Sequence, residues 1–433
     1  MDKIAIPVRT EPLAGTIRPP GSKSITNRAL ICAALADGRT HLQGVLDSDD
    51  TRVMIAALGD LGLSIDHNVQ QAAVDVTGCG GVLPVDAAEL FVANSGTTMR
   101  FLTALLALAK GRFRIDGVER MRQRPIGDLV DALNSIGAQI ECESPNQCPP
   151  VVLNARGLSG GEVSIRGDVS SQFLSGLLMA APLARGDTTI RIDGELVSQP
   201  YVEMTLRVMR SFGVAADAEG LQSFHVPGNQ AYQACHYTIE PDASAASYFW
   251  AAAAIVGGRV TVEGLSRDSL QGDVAFCDCL EQMGCQVAYG QDSVTVVGGP
   301  LRGIDVDMNA ISDTVQTLAA VALFADGPTR VRGVAHNRYK ETDRIGDLAT
   351  ELRKVGAAVE EHKDGLTIVP QPLQAAEINT YHDHRMAMSL ALIGLRVPGI
   401  VILNPACTEK TYPEYFADLF RLCGNVQPPP TCG

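Results

Sequence analysis

The 433 residues carry 35 basic and 49 acidic side chains, a net charge of −14, with 46% apolar and 19% charged residues. That balance is a globular chain's, with material for two or three domains, and so acidic a chain excludes non-specific capture of nucleic acid or an anionic membrane, which needs a basic surface. The longest uncharged apolar run, near Tyr248 to Val256, falls far short of the roughly 20 residues that span a bilayer, and the first seven residues lack the apolar core of a signal peptide, so a cytoplasmic protein is expected.

In chain order, residues 1–20 read as a strand that could serve either half of the protein. Pro20-Gly21-Ser22-Lys23-Ser24-Ile25-Thr26-Asn27-Arg28 then opens an Ala- and Leu-rich helix, with Ser24 as candidate N-cap and Gly38 as the stop. A helix start offers unpaired N–H groups and the positive end of a dipole, and with Lys23 and Arg28 beside it this is the layout of an anion seat. Similar helices are predicted over 98–108, 173–183, 245–256 and 315–324, with Ser95, Ser170, Asp242 and Ser312 as caps, and another follows Asp383. All are apolar on nearly every face, so each must be surrounded by protein. The strands Phe113-Arg114-Ile115-Asp116, Thr189-Ile190-Arg191-Ile192-Asp193 and Thr261-Val262-Glu263 alternate instead, leaving one sheet face to water.

A second pattern, an apolar helix ending in Gly before a short alternating strand, recurs at Gly62, Gly137, Gly213, Gly284, Gly356 and, more weakly, Gly424. The spacing of roughly 70 residues is too long for a solenoid and suits six copies of a small βαβαββ repeat, helices inside and sheets outside. Six repeats exceed one core, so the chain is expected to form an α/β protein of two domains with three repeats each: 21–240, and 1–20 with 241–433. The chain would cross twice, near Pro20 and Glu240-Pro241, and the N-terminal segment would supply a strand that the sixth repeat lacks. The tail from Gln427 is expected to be disordered.

Every repeat carries a polar loop after its outward strand. If all share one fold, these loops and the helix starts lie at one end of each half, and two such ends facing each other would form a cleft lined by Lys23, Arg28, Arg100, Arg124, Lys340, Arg344, Arg385 and Lys410. A cationic site in an acidic protein suits small substrates bearing phosphate and carboxylate. Among these cations Asp313 and Glu341, with Asp343 and Asp383 as further candidates, would serve as acid or base; for Asp343, Asp49 and Asp50 a structural partnership with a nearby Arg is the plainer reading. His384 can be read as a hydrogen-bonding group at a helix start. No phosphate-binding loop or dinucleotide fingerprint is present, and His382-Asp383-His384 lacks a third ligand, so no metal is expected. The 11 cysteines are scattered without metal-finger spacing and read as free thiols.

These stretches resemble one family, the 5-enolpyruvylshikimate-3-phosphate synthases. The resemblance rests on 20–28, Leu46-Asp47-Ser48-Asp49-Asp50-Thr51, Asn94-Ser95-Gly96-Thr97-Thr98-Met99-Arg100 and Arg122-Gln123-Arg124-Pro125-Ile126-Gly127. It continues through Val169-Ser170-Ser171-Gln172-Phe173, Lys340-Glu341-Thr342-Asp343-Arg344 and Asp383-His384-Arg385-Met386-Ala387-Met388, in family order along nearly the whole chain. It implies two domains of three βαβαββ repeats that close on substrate, an inside-out α/β barrel fold. The implied reaction moves the carboxyvinyl group of phosphoenolpyruvate to the 5-hydroxyl of shikimate 3-phosphate and releases phosphate, in aromatic amino acid biosynthesis.

By the same resemblance Lys23, Ser24, Arg28, Ser170, Ser171, Gln172, Ser198, Tyr201, Asp313, Asn337 and Lys340 surround shikimate 3-phosphate. Lys23, Gly96, Thr97, Arg124, Gln172, Glu341, Arg344, Arg385 and Lys410 surround phosphoenolpyruvate. Asp313 would take the hydroxyl proton and Glu341 would protonate the methylene, with Lys23 a rival donor and His384 a further member of the catalytic set. No cofactor, a monomer, and no nucleic-acid or membrane partner are implied. Ser95, Thr98 and Phe101 stand where many bacterial members have Ala, Ala and Pro, on a helix through which the family's response to the herbicide glyphosate is set. The sister transferase acting on UDP-N-acetylglucosamine uses a Cys close before an Arg-Pro pair; here 117–123 contain none. A non-catalytic sensor on the same scaffold would lack the acid and base residues.

Overall fold

The computed structural model describes residues 2–424; the tail expected to be disordered lies outside them. The chain divides into two compact bodies: Gly21–Ile239, and a second that joins the segment ending at Pro20 to the chain from Glu240 onward. Each is an inside-out α/β body holding three small sheets.

The complete repeat is clearest at 87–156. Strand Ala87–Phe91 leads through the buried helix Gly96–Ala107 to the parallel strand Lys110–Asp116. A second, half-exposed helix, Gly127–Ser135, then precedes the hairpin Ile140–Cys142 and Val151–Arg156, which completes the sheet antiparallel to Lys110–Asp116. The repeats at 161–226 and 305–369 follow the same strand order. Two repeats borrow their first strand across a long stretch of sequence: His236–Thr238 pairs parallel to Asp37–Gln43, and Leu13–Ile17 pairs parallel to Gly258–Glu263. The sixth sheet has three strands, and Lys3–Ala5 pairs antiparallel to Ile400–Leu403 at its edge. The N-terminal segment is thus two strands rather than one, both in the second body, in different sheets.

The six inner helices, Lys23–Leu35, Gly96–Ala107, Ser171–Ala180, Ala243–Val256, Val315–Ala322 and His384–Gly394, are buried along almost their whole length. Every residue from Ala243 to Ile255 is inside, which a helix without a polar face requires. In the second body the three inner helices meet at a ladder of hydroxyls, one per helix: Ser247 Oγ lies 3.1 Å from Thr317 Oγ1, which lies 3.1 Å from Ser389 Oγ. Each outer helix ends in the left-handed glycine that the repeat predicts, with φ from 75° at Gly424 to 112° at Gly284.

Four of the six expected caps are observed. Ser95, Ser170, Asp242 and Asp383 each accept a hydrogen bond from a backbone N–H of the first turn. The other two differ. The first helix starts one residue before Ser24, so Ser22 caps it, accepting from the Ile25 N–H, and it ends at Leu35, where Asp37 and Gly38 already belong to the next strand. Before Val315 the chain winds as a 3-10 turn, Asn309–Thr314, that runs into the helix, so Thr314 rather than Ser312 stands at the N-cap position. The ten cysteines among the described residues are free thiols.

Candidate active site

In the first body the candidate groups gather at the starts of the three inner helices. Lys23 opens the first of them, nearly buried, its Nζ 3.7 Å from Asp50 Oδ2 at the start of the outer helix Asp49–Asp60. Asp50 is thus a partner of this lysine. One turn on, Arg28 is 1% exposed and held by neutral groups: Nε donates to Thr205 Oγ1 at 2.7 Å, Nη1 to the Ser24 carbonyl at 2.9 Å, and Nη2 to Ser175 Oγ and the Tyr201 carbonyl, both at 3.2 Å. Its guanidinium also faces the rings of Phe101 and Tyr201, 5.2 and 5.9 Å from their centres. Burial pulls the Arg28 pKa down to about 10, which leaves it charged at neutral pH.

Gly96 begins the second inner helix, and a Cβ there would collide with the guanidinium groups of both Arg100 and Arg124. Glycine is what lets two cations approach one helix N-terminus. Arg124 is fixed by the Asn94 carbonyl at 3.1 Å, and Arg100 by Gln172 Oε1 at 3.1 Å and the Pro125 carbonyl at 3.2 Å. Gln172 in turn donates to Thr97 Oγ1 at 3.3 Å, linking the second helix start to the third. There Ser170 spends its hydroxyl as the cap and Ser171 follows, nearly buried. Ser198, at φ 52°, precedes the outer helix Gln199–Ser211 that carries Tyr201.

The second body holds a tighter ionic network. Asp313 accepts from Lys340 Nζ at 3.3 Å and Arg344 Nη1 at 3.2 Å on one oxygen, and from Arg385 Nη2 at 2.7 Å on the other. Arg344 is 1% exposed; Asp383 grips it through two bonds of 2.7 and 3.1 Å, and Glu341 Oε2 lies 2.9 Å from its Nη2. Burial alone would lower the Arg344 pKa, but the carboxylates of Asp383, Glu341 and Asp313 outweigh it and raise it. For Lys340 the balance is reversed, and burial lowers its pKa despite Asp313. Arg385 also donates to the Tyr248 hydroxyl at 3.4 Å.

The remaining predicted residues separate. Asn337 is fully buried, its Nδ2 donating to the Ser312 carbonyl at 2.9 Å while its Oδ1 is left as a buried acceptor without a partner. Lys410 is buried at the end of the 3-10 segment Pro405–Lys410. His384 is buried with Nδ1 3.7 Å from Asp383 Oδ1, beyond hydrogen-bond reach. Of the four candidate carboxylates, Asp383 is both cap and partner of Arg344, and Asp343 binds Arg338 at 2.7 Å and the N–H groups of Ile345 and Gly346; both are structural. Ser175, Thr205 and Tyr248 carry no sequence signal for their part, because each meets its arginine only through packing of distant elements. Among the described residues no group of three or more His, Cys, Asp or Glu side chains could hold a metal ion, and no helix is long and apolar enough to cross a membrane.

Such paired sets of Arg and Lys, with carboxylates among them in one body, can bind anions and move protons beside them. The model of the EPSP synthase (3-phosphoshikimate 1-carboxyvinyltransferase) family matches residues 8–419. A 3-phosphoshikimate 1-carboxyvinyltransferase of Trichormus variabilis is 51% identical over 426 residues, 98% of this chain and 100% of the relative. One of Yersinia ruckeri is 51% identical over 411 residues, 94% and 96% of the two chains. A solved structure of EPSP synthase from Acinetobacter baumannii matches with a TM-score of 0.82 at 26% identity, covering 99% of each chain. With its family model matched almost end to end and half its residues shared with these relatives, the chain belongs to the EPSP synthase family.

Proposed function

We infer that this chain carries the activity its family is named for. It transfers the carboxyvinyl group of phosphoenolpyruvate to the 5-hydroxyl of shikimate 3-phosphate and releases phosphate, a step of aromatic amino acid biosynthesis. The observation that carries the residue roles is Asp313, a carboxylate bound by Lys340, Arg344 and Arg385, with Glu341 on that same Arg344.

Addition requires a proton on the methylene carbon of phosphoenolpyruvate, which makes its neighbouring carbon electrophilic, and removal of a proton from the attacking hydroxyl. Glu341 gives the first proton, with Lys23 the alternative donor, and Asp313 takes the second. The tetrahedral adduct then expels phosphate and loses a proton from its new methyl group, restoring the double bond. On this reading Lys23, Gly96, Thr97, Arg124, Gln172, Glu341, Arg344, Arg385 and Lys410 bind phosphoenolpyruvate. Ser24, Arg28, Ser170, Ser171, Gln172, Ser198 and Tyr201, with Lys23, Asn337, Lys340 and Asp313, hold shikimate 3-phosphate. Cations fixed in advance lower the barrier by stabilising charge on the adduct and on departing phosphate without reorganising. His384, out of hydrogen-bond reach of Asp383, serves here through its position at the helix start.

As part of the same reading the enzyme works in the cytoplasm, where its charged substrates are found, and as a monomer, since one chain supplies both binding sets. Replacing Glu341 with Gln keeps the shape and removes the acid. We expect turnover to fall by about 10²–10⁴-fold, with the dissociation constant for shikimate 3-phosphate, read by calorimetry, changed less than threefold. A variant with near-normal turnover removes Glu341 from the donor role.

A further inference from the structure

Asp383, which grips Arg344 and caps the helix of Arg385, is delivered by an unusual stretch of backbone. The two residues before it, Tyr381 and His382, both lie in the left-handed region, at φ 52° and 56°. That conformation is disfavoured for a residue with a side chain and persists only where its surroundings impose it. Here the surroundings are identifiable. Glu351, 0% exposed on the outer helix Gly346–Lys354, accepts from the Tyr381 hydroxyl at 2.6 Å and from the Asn379 N–H at 3.0 Å. Lys354 Nζ lies 2.8 Å from each of its oxygens. Asn379 Oδ1 accepts from the Tyr381 N–H at 3.1 Å, and the Asn404 side chain lies 3.0 Å from His382 Nδ1. Burial, helped by the bond to Glu351, raises the Tyr381 phenol, which keeps it a donor.

We propose that Glu351 is a positioning residue for the phosphoenolpyruvate-binding arginines, acting through the Tyr381 hydroxyl to hold the left-handed turn Tyr381-His382 and thereby the place of Asp383. The proposal rests on the assignment of Arg344 and Arg385 to phosphoenolpyruvate. Its chain of contacts is continuous: Glu351 to Tyr381, the turn to Asp383, and Asp383 to Arg344 through two bonds and to the Arg385 N–H at 2.8 Å. A carboxylate whose role was only to pair with Lys354 would not need the phenol.

The test uses the full-length protein with Tyr381→Phe and Tyr381→Gly, reading KM for each substrate, kcat and Tm. Losing one part-buried hydrogen bond to a charged group should raise the KM for phosphoenolpyruvate in Tyr381→Phe by about 3–10-fold. The KM for shikimate 3-phosphate should stay within about twofold. Glycine also removes the hydroxyl but adopts the left-handed conformation without strain, so Tyr381→Gly should shift that KM less than the conservative change does. An unchanged KM for phosphoenolpyruvate in Tyr381→Phe, equal shifts for both substrates, or a larger shift in Tyr381→Gly would overturn the positioning role. A wild-type protein without turnover would overturn the activity assignment and this proposal together, whereas an active wild type with unshifted variants overturns the proposal alone.

Discussion

Arg28 and Arg344 are both buried guanidinium groups, compensated in opposite ways. Arg344 is surrounded by carboxylates that raise its pKa, while the bonds to Arg28 come from hydroxyls and carbonyls, with two aromatic rings facing it. A cation fixed by dipoles keeps more of its charge for an incoming anion, and one fixed by carboxylates gives geometry instead. His336 is the other buried group with a readable consequence. Burial, and then the Lys340 cation, lower its pKa from 6.5 to about 3, so the folded protein keeps it neutral. Below pH 6.5 the unfolded chain takes up a proton that the folded chain refuses, so His336 destabilises the fold progressively as pH falls toward 3 and has no effect above 6.5. Asp273 works the other way: burial, and then the Asp313 carboxylate, raise its pKa, so its contribution is present at low pH and is lost as pH rises. The difference between wild type and His336→Gln isolates the histidine. The urea midpoint of wild type should drop more steeply from pH 6 to pH 4 than that of the variant; parallel curves would contradict the burial argument. The charged loops pointed to Glu341 and Arg344, and the helix starts to Asp313 and Arg385, because such loops and starts recur at like places in the repeats. Nothing local pointed to Thr205 or Ser175, which reach Arg28 only when an outer helix and an inner helix pack against it.

Elements were legible where a local signal decides them. The left-handed glycine at each outer-helix end is such a signal, because the C-terminal carbonyls need a turn that a Cβ resists. Gly284, at φ 112°, has the Pro300 carbonyl where a Cβ would stand, so strain and collision add. Gly284→Ala should cost about 2 kcal/mol or more in urea unfolding, and a shift below about 0.5 kcal/mol would show that the turn relaxes freely. The two misplaced caps have different causes. Ser22 and Ser24 are both good caps, and which one serves depends on where the strand of Leu13–Ile17 releases the chain; Ser312 looks like a cap but sits inside a 3-10 turn that already feeds the helix. The apolar inner helices predicted their own burial, whereas the ladder Ser247–Thr317–Ser389 joins three separate repeats and fixes how their helices meet.

At the scale of the molecule, the six-fold repeat was visible in spacing alone, but the exchange of strands was only half visible. A missing sixth-repeat strand hinted that the N-terminal segment fills an edge; that His236–Thr238 returns to the first sheet, or that the N-terminal segment serves two sheets, had no local mark. The edge strand gives a test. Deleting residues 2–7 uncovers Ile400–Leu403, so amide exchange there should quicken by about tenfold or more while His41 to Gln43, in the other body, keeps its protection. Equal loss in both bodies would mean that the edge strand has no local role. The measurement that bears most directly on the whole account is phosphate release from the purified protein given phosphoenolpyruvate with either shikimate 3-phosphate or UDP-N-acetylglucosamine. One phosphate is expected per shikimate 3-phosphate consumed and none with the nucleotide sugar; release with the sugar, or no release with either acceptor, would overturn the assigned reaction.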